Sequence, residues 1–317
     1  MARYALRHLA QGVPLLLGIT LVIFLLVRSM PGGPLSAYEG NPDVTQEDLL
    51  RLRTQLGLDE PAPVQYLKWL ARLGQGDLGW SLVAHRPVAT MIRERLVNTV
   101  YLMGLAFLVT LLVALPIGVL SARYQYSWFD HVFTTSSFVG FSMPTFWSGL
   151  LAIMVFSVWL RWLPAGGMYT VGERFSLVDH VRHLLLPLAT LSLYSAARYT
   201  RYLRSSMLEV LGEEYIAVAR AKGLGEWAVV QKHGLRNATI PLVTIAALDL
   251  PQLFSGALIT ETMFSWPGMG RLFWEATLRM DYPVLMGVMA IAASLVVLFN
   301  LLADLAYAVL DPRIRYR

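Results

Sequence analysis

Long apolar runs dominate the chain and recur between shorter polar segments. A helix that crosses the hydrocarbon core of a bilayer needs about 20 mostly apolar residues, whereas the strands of membrane barrels alternate over about ten. The chain contains about six continuous runs of helical length, at residues 9–27, 97–122, 132–160, 184–203, 239–263 and 284–310. The pattern predicts an all-α membrane protein with about six transmembrane helices.

The first run has two interpretations, because Arg3 and Arg7 ahead of an apolar stretch are also typical of a signal peptide. The run is not closed by a small-x-small cleavage site, and it is followed by Arg28 and Pro31. We therefore expect it to remain as the first membrane span.

The distribution of charge predicts the orientation. The sequence is 56% hydrophobic and only 15% charged, with a net charge of +5. Lys and Arg concentrate in the segments that would share a side with the N-terminus, so both termini are expected to be cytoplasmic. The positive charge then reflects topology, and we expect membrane lipid and no nucleic acid among the partners. The chain has no cysteine, so disulfides and thiolate metal sites are excluded.

The segment after the first span carries signals for two short helices. Thr45 begins a capping-box pattern, and Gly57 is placed to end the helix that follows. A second amphipathic helix should begin near Pro63 and stop at Gly74. Its Trp69 suits either the membrane interface or packing against the spans, and the pattern does not choose between them.

The cytoplasmic loop at residues 205–238 is long and charged. Its composition predicts a helix at residues 215–222, a turn at Gly223 and a second helix from Glu226 to about Leu235. The small side chains at Ala219 and Gly223 would let another surface approach closely. A surface hairpin without a partner explains the composition equally well.

Ionisable residues within or beside the apolar runs are expensive in lipid unless they face a cavity or a partner. Asp249 lies closest to mid-membrane, and we expect it to face a translocation path. Glu261 and Asp304 also qualify. Arg198, Arg201 and Arg204 share one helical face and are interpreted first as anchors at the cytoplasmic interface. Prolines such as Pro144 are either tolerated kinks or hinges of a path.

Motifs for catalysis are missing from the sequence. It contains no G-x-x-x-x-G-K-[ST] phosphate loop, no H-E-x-x-H pair and no G-x-S-x-G nucleophile. His180 and His183 have only Asp179 as a nearby carboxylate, so we expect no metal site there. The chain is predicted to be no enzyme and to hold no cofactor of its own.

Several stretches, in the same order along the chain, resemble one family. The cytoplasmic loop is similar to that of binding-protein-dependent ABC import permeases, in the dipeptide, oligopeptide and nickel branch. The other matching stretches lie at residues 56–59, 63–67, 76–79, 86–88, 94–96, 98–99, 142–147 and 261–271. The loop departs from the wider family pattern at Ala217 and Val218, which replace Glu and Ala, and at His233 and Arg236.

The resemblance implies a type I ABC importer permease in the cytoplasmic (inner) membrane. Its partners would be two ATPase subunits that bind ATP and Mg, and a second homologous permease. An extracytoplasmic binding protein would deliver peptides. Residues 1–95 would form a first span and a long outer segment, and residues 96–317 the permease domain. The loop would couple to an ATPase through Ala217, Val218, Ala219, Arg220, Ala221, Lys222, Gly223, Leu224 and Leu235. Candidate path residues are Asp249, Ser142 and Pro144. The alternative is a secondary transporter driven by an ion gradient, which would need coupling carboxylates such as Asp249.

Overall fold

The computed structural model describes residues 2–30, 33–35, 45–55, 57–255 and 258–310, and within these ranges the ordered elements are helices and one isolated bridge between Trp80 and Pro87. The helices are α1 (Ala2–Arg28), α2 (Gln46–Gln55), α3 (Ala62–Gly74), α4 (Val88–Arg123), α5 (Trp128–Ser142), α6 (Thr145–Ala152), α7 (Leu177–Leu211), α8 (Glu214–Ala221), α9 (Glu226–Ala228), α10 (Arg236–Ser255), α11 (Leu258–Met263), α12 (Met269–Leu278) and α13 (Tyr282–Leu310). Two π-helical stretches, Ile153–Trp159 and Val229–Leu235, follow α6 and α9.

Three of the described helices are long and apolar enough to cross a membrane, at Gln11–Arg28, Val88–Arg123 and Tyr282–Leu302. The bent pair Trp128–Ser142 and Thr145–Trp159 makes a fourth if it counts as one span. The predicted runs at residues 184–203 and 239–263 are largely helical but are not among these candidates. The all-α membrane fold is therefore confirmed, whereas the number of six spans and the orientation of the termini remain predictions.

The predicted third span, residues 132–160, is broken at Pro144. Helix α5 ends at Ser142 and α6 begins at Thr145, and their axes differ by 105°. Met143 has an extended backbone with ψ of 129°, because a residue before proline is driven away from the helical region. The continuous apolar run at residues 132–160 therefore did not predict this sharp turn.

The centre of the molecule is the packing of α4 against α7, with α10 and α5 alongside. Ala114, Tyr199, Leu203 and Leu242 are buried together at this junction. A β-carbon at Gly118 would lie 3.0 Å from the Leu203 side chain, so glycine allows the two helices to approach closely.

The segment between α1 and α4 packs against residues near the ends of other helices. On α3, Tyr66 and Trp69 pack against Phe24 of α1, with ring centroids 5.6 and 6.5 Å away. This observation supports the packing interpretation for that side of α3, while Leu67 on the same helix is 62% exposed. Near the end of the segment the buried Asp281 carboxylate accepts a hydrogen bond from the Ser81 hydroxyl.

Candidate functional site

The segment at residues 214–228 is predicted to be cytoplasmic and is named here the coupling segment after its predicted role. It is a helix followed by a tight turn. Helix α8 ends at Ala221, and Gly223 has φ of +82°, in the left-handed region that glycine adopts most easily. The Gly223 amide donates to the Arg220 carbonyl over 2.9 Å and thereby caps the helix. The predicted helix and the turn at Gly223 are both present.

The coupling segment has a buried side and an exposed side. Ile216, Ala219 and Val229 form a small core of their own, in which Ala219 is only 6% exposed. Ala219 therefore faces its own chain and is not available to a second surface, contrary to what its small size suggested. The exposed side includes Tyr215, Ala217, Val218, Arg220, Ala221, Lys222, Gly223, Leu224 and Trp227.

Electrostatic contacts brace the turn. Arg220 donates two hydrogen bonds to the Glu226 carboxylate, over 3.1 and 2.8 Å. This guanidinium lowers the pKa of Glu226, and the carboxylate in turn raises the pKa of Arg220. Arg123, at the end of α4, lies 5.2 Å from the centroid of the Trp227 ring. These contacts stabilise the helix and turn that carry the exposed side.

The second predicted cytoplasmic helix does not end near Leu235. The chain passes from α9 through the π-helical stretch directly into α10. Leu235 itself is partly buried and packs beside the core between α4, α7 and α10. The coupling segment is consequently connected to α10 without an intervening loop.

Asp249 of α10, which the sequence predicts to lie near mid-membrane, is an ion-pair partner. Arg198 of α7 forms a hydrogen-bonded ion pair with its carboxylate, and the Tyr199 hydroxyl donates to the same oxygen over 2.6 Å. The side chains of Arg198 and Asp249 keep 26% and 17% exposure. The pair compensates two charges that would be costly alone in lipid. It gives Arg198 a partner that the anchoring interpretation did not include, and that interpretation stays a prediction.

Arg204 has a comparable partner, which the sequence reasoning missed. Its guanidinium donates two hydrogen bonds to the Asp130 carboxylate of α5, over 2.6 and 2.7 Å. Asp130 also accepts bonds from the Tyr126 amide and the Thr134 hydroxyl, and its side chain is 3% exposed. The spacing of the arginines was the available signal, but nothing local identified Asp130.

The other two candidate path residues lie at the α5–α6 break. Ser142 is the last residue of α5 and Pro144 precedes α6, and both are exposed. They are brought near α7 by the stacking of Phe141 on Tyr194, with centroids 5.4 Å apart. The structure does not join them to Asp249 through any contact between described residues.

Glu261 has a structural role that its position in an apolar run did not reveal. Its fully buried carboxylate accepts hydrogen bonds from the Thr99 hydroxyl at 2.7 Å and from the Gly270 amide at 2.7 Å. It therefore caps the beginning of α12 and ties it to α4. A β-carbon at Gly270 would lie 2.5 Å from the Leu258 α-carbon, so only glycine fits.

The two buried histidines are used in hydrogen bonds of the protein itself. His180 contacts the Met168 carbonyl through Nδ1 at 2.9 Å and the Tyr101 hydroxyl through Nε2 at 3.1 Å. Across the described parts of the chain, no three His, Asp or Glu residues form a group that could hold a metal ion.

Comparison with known proteins decides the family. Residues 114–316 match the family described as "Binding-protein-dependent transport system inner membrane component". Residues 1–103 match the one described as "Binding-prot-dependent transport system membrane comp, N-term". The chain belongs to this permease family.

Curated relatives of this permease cover its whole length. It is 44% identical to the oligopeptide transport system permease protein AppB of Bacillus subtilis over 317 residues, which is 100% of both chains. It is 38% identical to the dipeptide transport system permease protein DppB of Escherichia coli over 338 residues, again 100% of both. A putative peptide permease protein of Brucella suis is 44% identical over 99% of each chain. The predicted resemblance to ABC import permeases is confirmed, while the division at residues 95 and 96 stays a prediction.

Proposed function

We propose that this permease forms one half of the translocation path of an ATP-driven importer for di- or oligopeptides, in the cytoplasmic membrane. A second homologous permease supplies the other half, and an extracytoplasmic binding protein delivers the cargo. Two ATPase subunits bind ATP and Mg. The peptide cargo is supported by the names of the oligopeptide and dipeptide permeases that align over the full chain.

The observation that carries the proposal is the exposed side of the coupling segment. The exposed side carries three large apolar side chains, Val218, Leu224 and Trp227, which are 52%, 42% and 47% exposed. The helix and turn that carry them are stabilised by the buried contact between Ile216 and Val229. Exposed apolar side chains on a rigid, charged scaffold are typical of a protein docking site. An ATPase docked there can move the spans, because the segment continues directly into α10.

Mechanistically, ATP binding changes which conformation of the ATPase pair is stable. The docked coupling segments transmit that difference, and the spans shift between inward-open and outward-open arrangements. The bound partner can shift this equilibrium only by its different affinity for the two states. Asp249, Ser142 and Pro144 are proposed to lie along the path that these movements open.

Substitution of Gly223 tests the docking role. A β-carbon at this position meets no atom of the chain within 4 Å, so the space around it is free for a partner. Gly223→Trp should abolish most uptake and ATPase capture, because overpacking a close contact costs about 1–3 kcal/mol and about 1.4 kcal/mol is a tenfold loss. Peptide uptake and retention of the ATPases in pull-down, both normalised to membrane level, are the measurements.

Two controls separate docking from backbone strain. Gly223→Asn places a side chain that tolerates positive φ at the same site, and it should retain more activity than the Trp variant. Gly172→Trp introduces the same bulk at φ of +88°, again with no atom within 4 Å of the added β-carbon. Gly172 lies in the loop before α7, outside the coupling segment. If Gly223→Trp imports peptide and retains its ATPases as well as Gly172→Trp does, the coupling segment is not the docking site.

A further inference from the structure

Three arginines recur at intervals of three residues along α7, and the middle one, Arg201, differs from the other two in its contacts. Arg198 is paired with Asp249 and Arg204 with Asp130. For Arg201, no carboxylate lies within ion-pair distance in the parts of the chain that the structure describes. The positive charges on either side of Arg201 are thus neutralised, while its own charge is not.

Arg201 lies against aromatic rings. Its guanidinium carbon is 4.6 Å from the centroid of Phe138 and 5.4 Å from that of Phe141. These two rings are 52% and 40% exposed, and Phe141 also stacks on Tyr194. The arginine and the two phenylalanines form an open shelf, which adjoins the α5–α6 break after Ser142.

The rings do not use the hydrogen-bonding capacity of the guanidinium. Arginine carries five N–H donors in a fixed fork that fits a carboxylate with two parallel bonds. Contact with aromatic faces is a weak substitute for an anion when the charge leaves water. The shelf therefore offers unused donors for an anion beside an apolar surface.

We propose that Arg201 binds the terminal carboxylate of the peptide cargo, and that Phe138 and Phe141 receive the apolar side chain next to it. This inference rests on the proposed function, since it names the part of a peptide that the path recognises. A net positive shelf between two neutralised pairs favours an anionic group over the cargo's ammonium terminus.

The test compares alanyl-phenylalanine with its C-terminal amide. Both are offered through the same binding protein to the complete importer in proteoliposomes, and the ratio of their uptake rates is measured. The contribution of the binding protein to this ratio cancels between variants. Arg201→Gln should lower the preference for the free carboxylate by about tenfold or more, the effect of a charge-assisted hydrogen bond. Arg201→Lys keeps the positive charge but lacks the paired N–H donors of the guanidinium, so its uptake ratio should lie between those of the wild type and Arg201→Gln.

Arg72→Gln is the matched control, because Arg72 is an exposed arginine at the end of α3 and should leave the ratio unchanged. A wild-type ratio in both Arg201 variants overturns the inference, even when the complex imports peptide. If Arg201→Gln slows both peptides equally, and only in vesicles that contain phosphatidylglycerol, the anion is a lipid phosphate and the inference is wrong. A wild-type complex that imports neither these dipeptides nor longer peptides overturns the proposed function itself.

Discussion

The ion pair between Asp130 and Arg204 should be one of the strongest single supports of the fold. It joins the beginning of α5 to α7 with two hydrogen bonds of 2.6 and 2.7 Å, and the two side chains are 3% and 22% exposed. Asp130→Asn removes the negative charge and leaves Arg204 uncompensated in a poorly hydrated place. Breaking one side of a buried pair costs about 3–5 kcal/mol of folding free energy.

A second pair in the same chain provides the comparison. Arg220 and Glu226 also form two hydrogen bonds, of 3.1 and 2.8 Å, but their side chains are 44% and 45% exposed. Exposed pairs contribute about 0–1 kcal/mol. Glu226→Gln should therefore have a small effect, although the geometry of the hydrogen bonds is similar.

The purified protein in detergent is heated and then run on a size-exclusion column. The measured quantity is the temperature at which its monodisperse elution peak is lost. With about 2 °C for each kcal/mol in a chain of this size, Asp130→Asn should lower that temperature by about 6–10 °C. Glu226→Gln should lower it by about 2 °C or less. Equal shifts for the two variants, or a larger one for Glu226→Gln, would refute the reasoning that burial sets the value of these pairs.

Two further predictions concern packing and the path. Gly270→Ala should destabilise the protein by about 1–3 kcal/mol in the same heating assay, because its β-carbon would overlap the Leu258 backbone. Gly104→Ala, where no atom lies within 4 Å, should be neutral or stabilising, and a reversed order would be inconsistent with the structure. Since the chain has no cysteine, Ser142→Cys gives a unique thiol, which a water-soluble thiol reagent should label and peptide cargo should protect. Leu112→Cys, at a site 73% exposed on an apolar span, should remain unlabelled, and equal labelling at both sites would remove Ser142 from the path.

The local parts of the fold were accessible from the sequence. Alanine and basic residues predicted α8, and Gly223 predicted the turn that follows, because both depend on neighbouring residues only. The three long helices that are apolar enough to cross a membrane followed from apolar runs in the same way. The break at Pro144 was less clear, since membrane helices tolerate many prolines and the sequence does not show which one interrupts a helix.

The contacts between distant residues were not accessible. Asp249 lies 51 residues from Arg198, and Asp130 lies 74 residues from Arg204, so no periodicity connects them. The alanine pattern of α8 likewise could not show that Ala219 points inward, because its neighbour Val229 belongs to the π-helical stretch that follows α9. Arg198, Arg204 and Asp249 were thus recognised as unusual from the sequence, but their partners depended on the tertiary structure.

The most direct test of the central claim is peptide uptake by the reconstituted importer, with this permease, its second permease, both ATPases and the binding protein. We expect accumulation of a dipeptide when ATP is supplied on the side of the ATPases and no ion gradient exists. Uptake should stop when ATP is replaced by a non-hydrolysable analogue, and the permease alone should neither hydrolyse ATP nor import peptide. Accumulation by this chain without ATPases, driven by a proton or sodium gradient, would contradict the account and favour a secondary transporter.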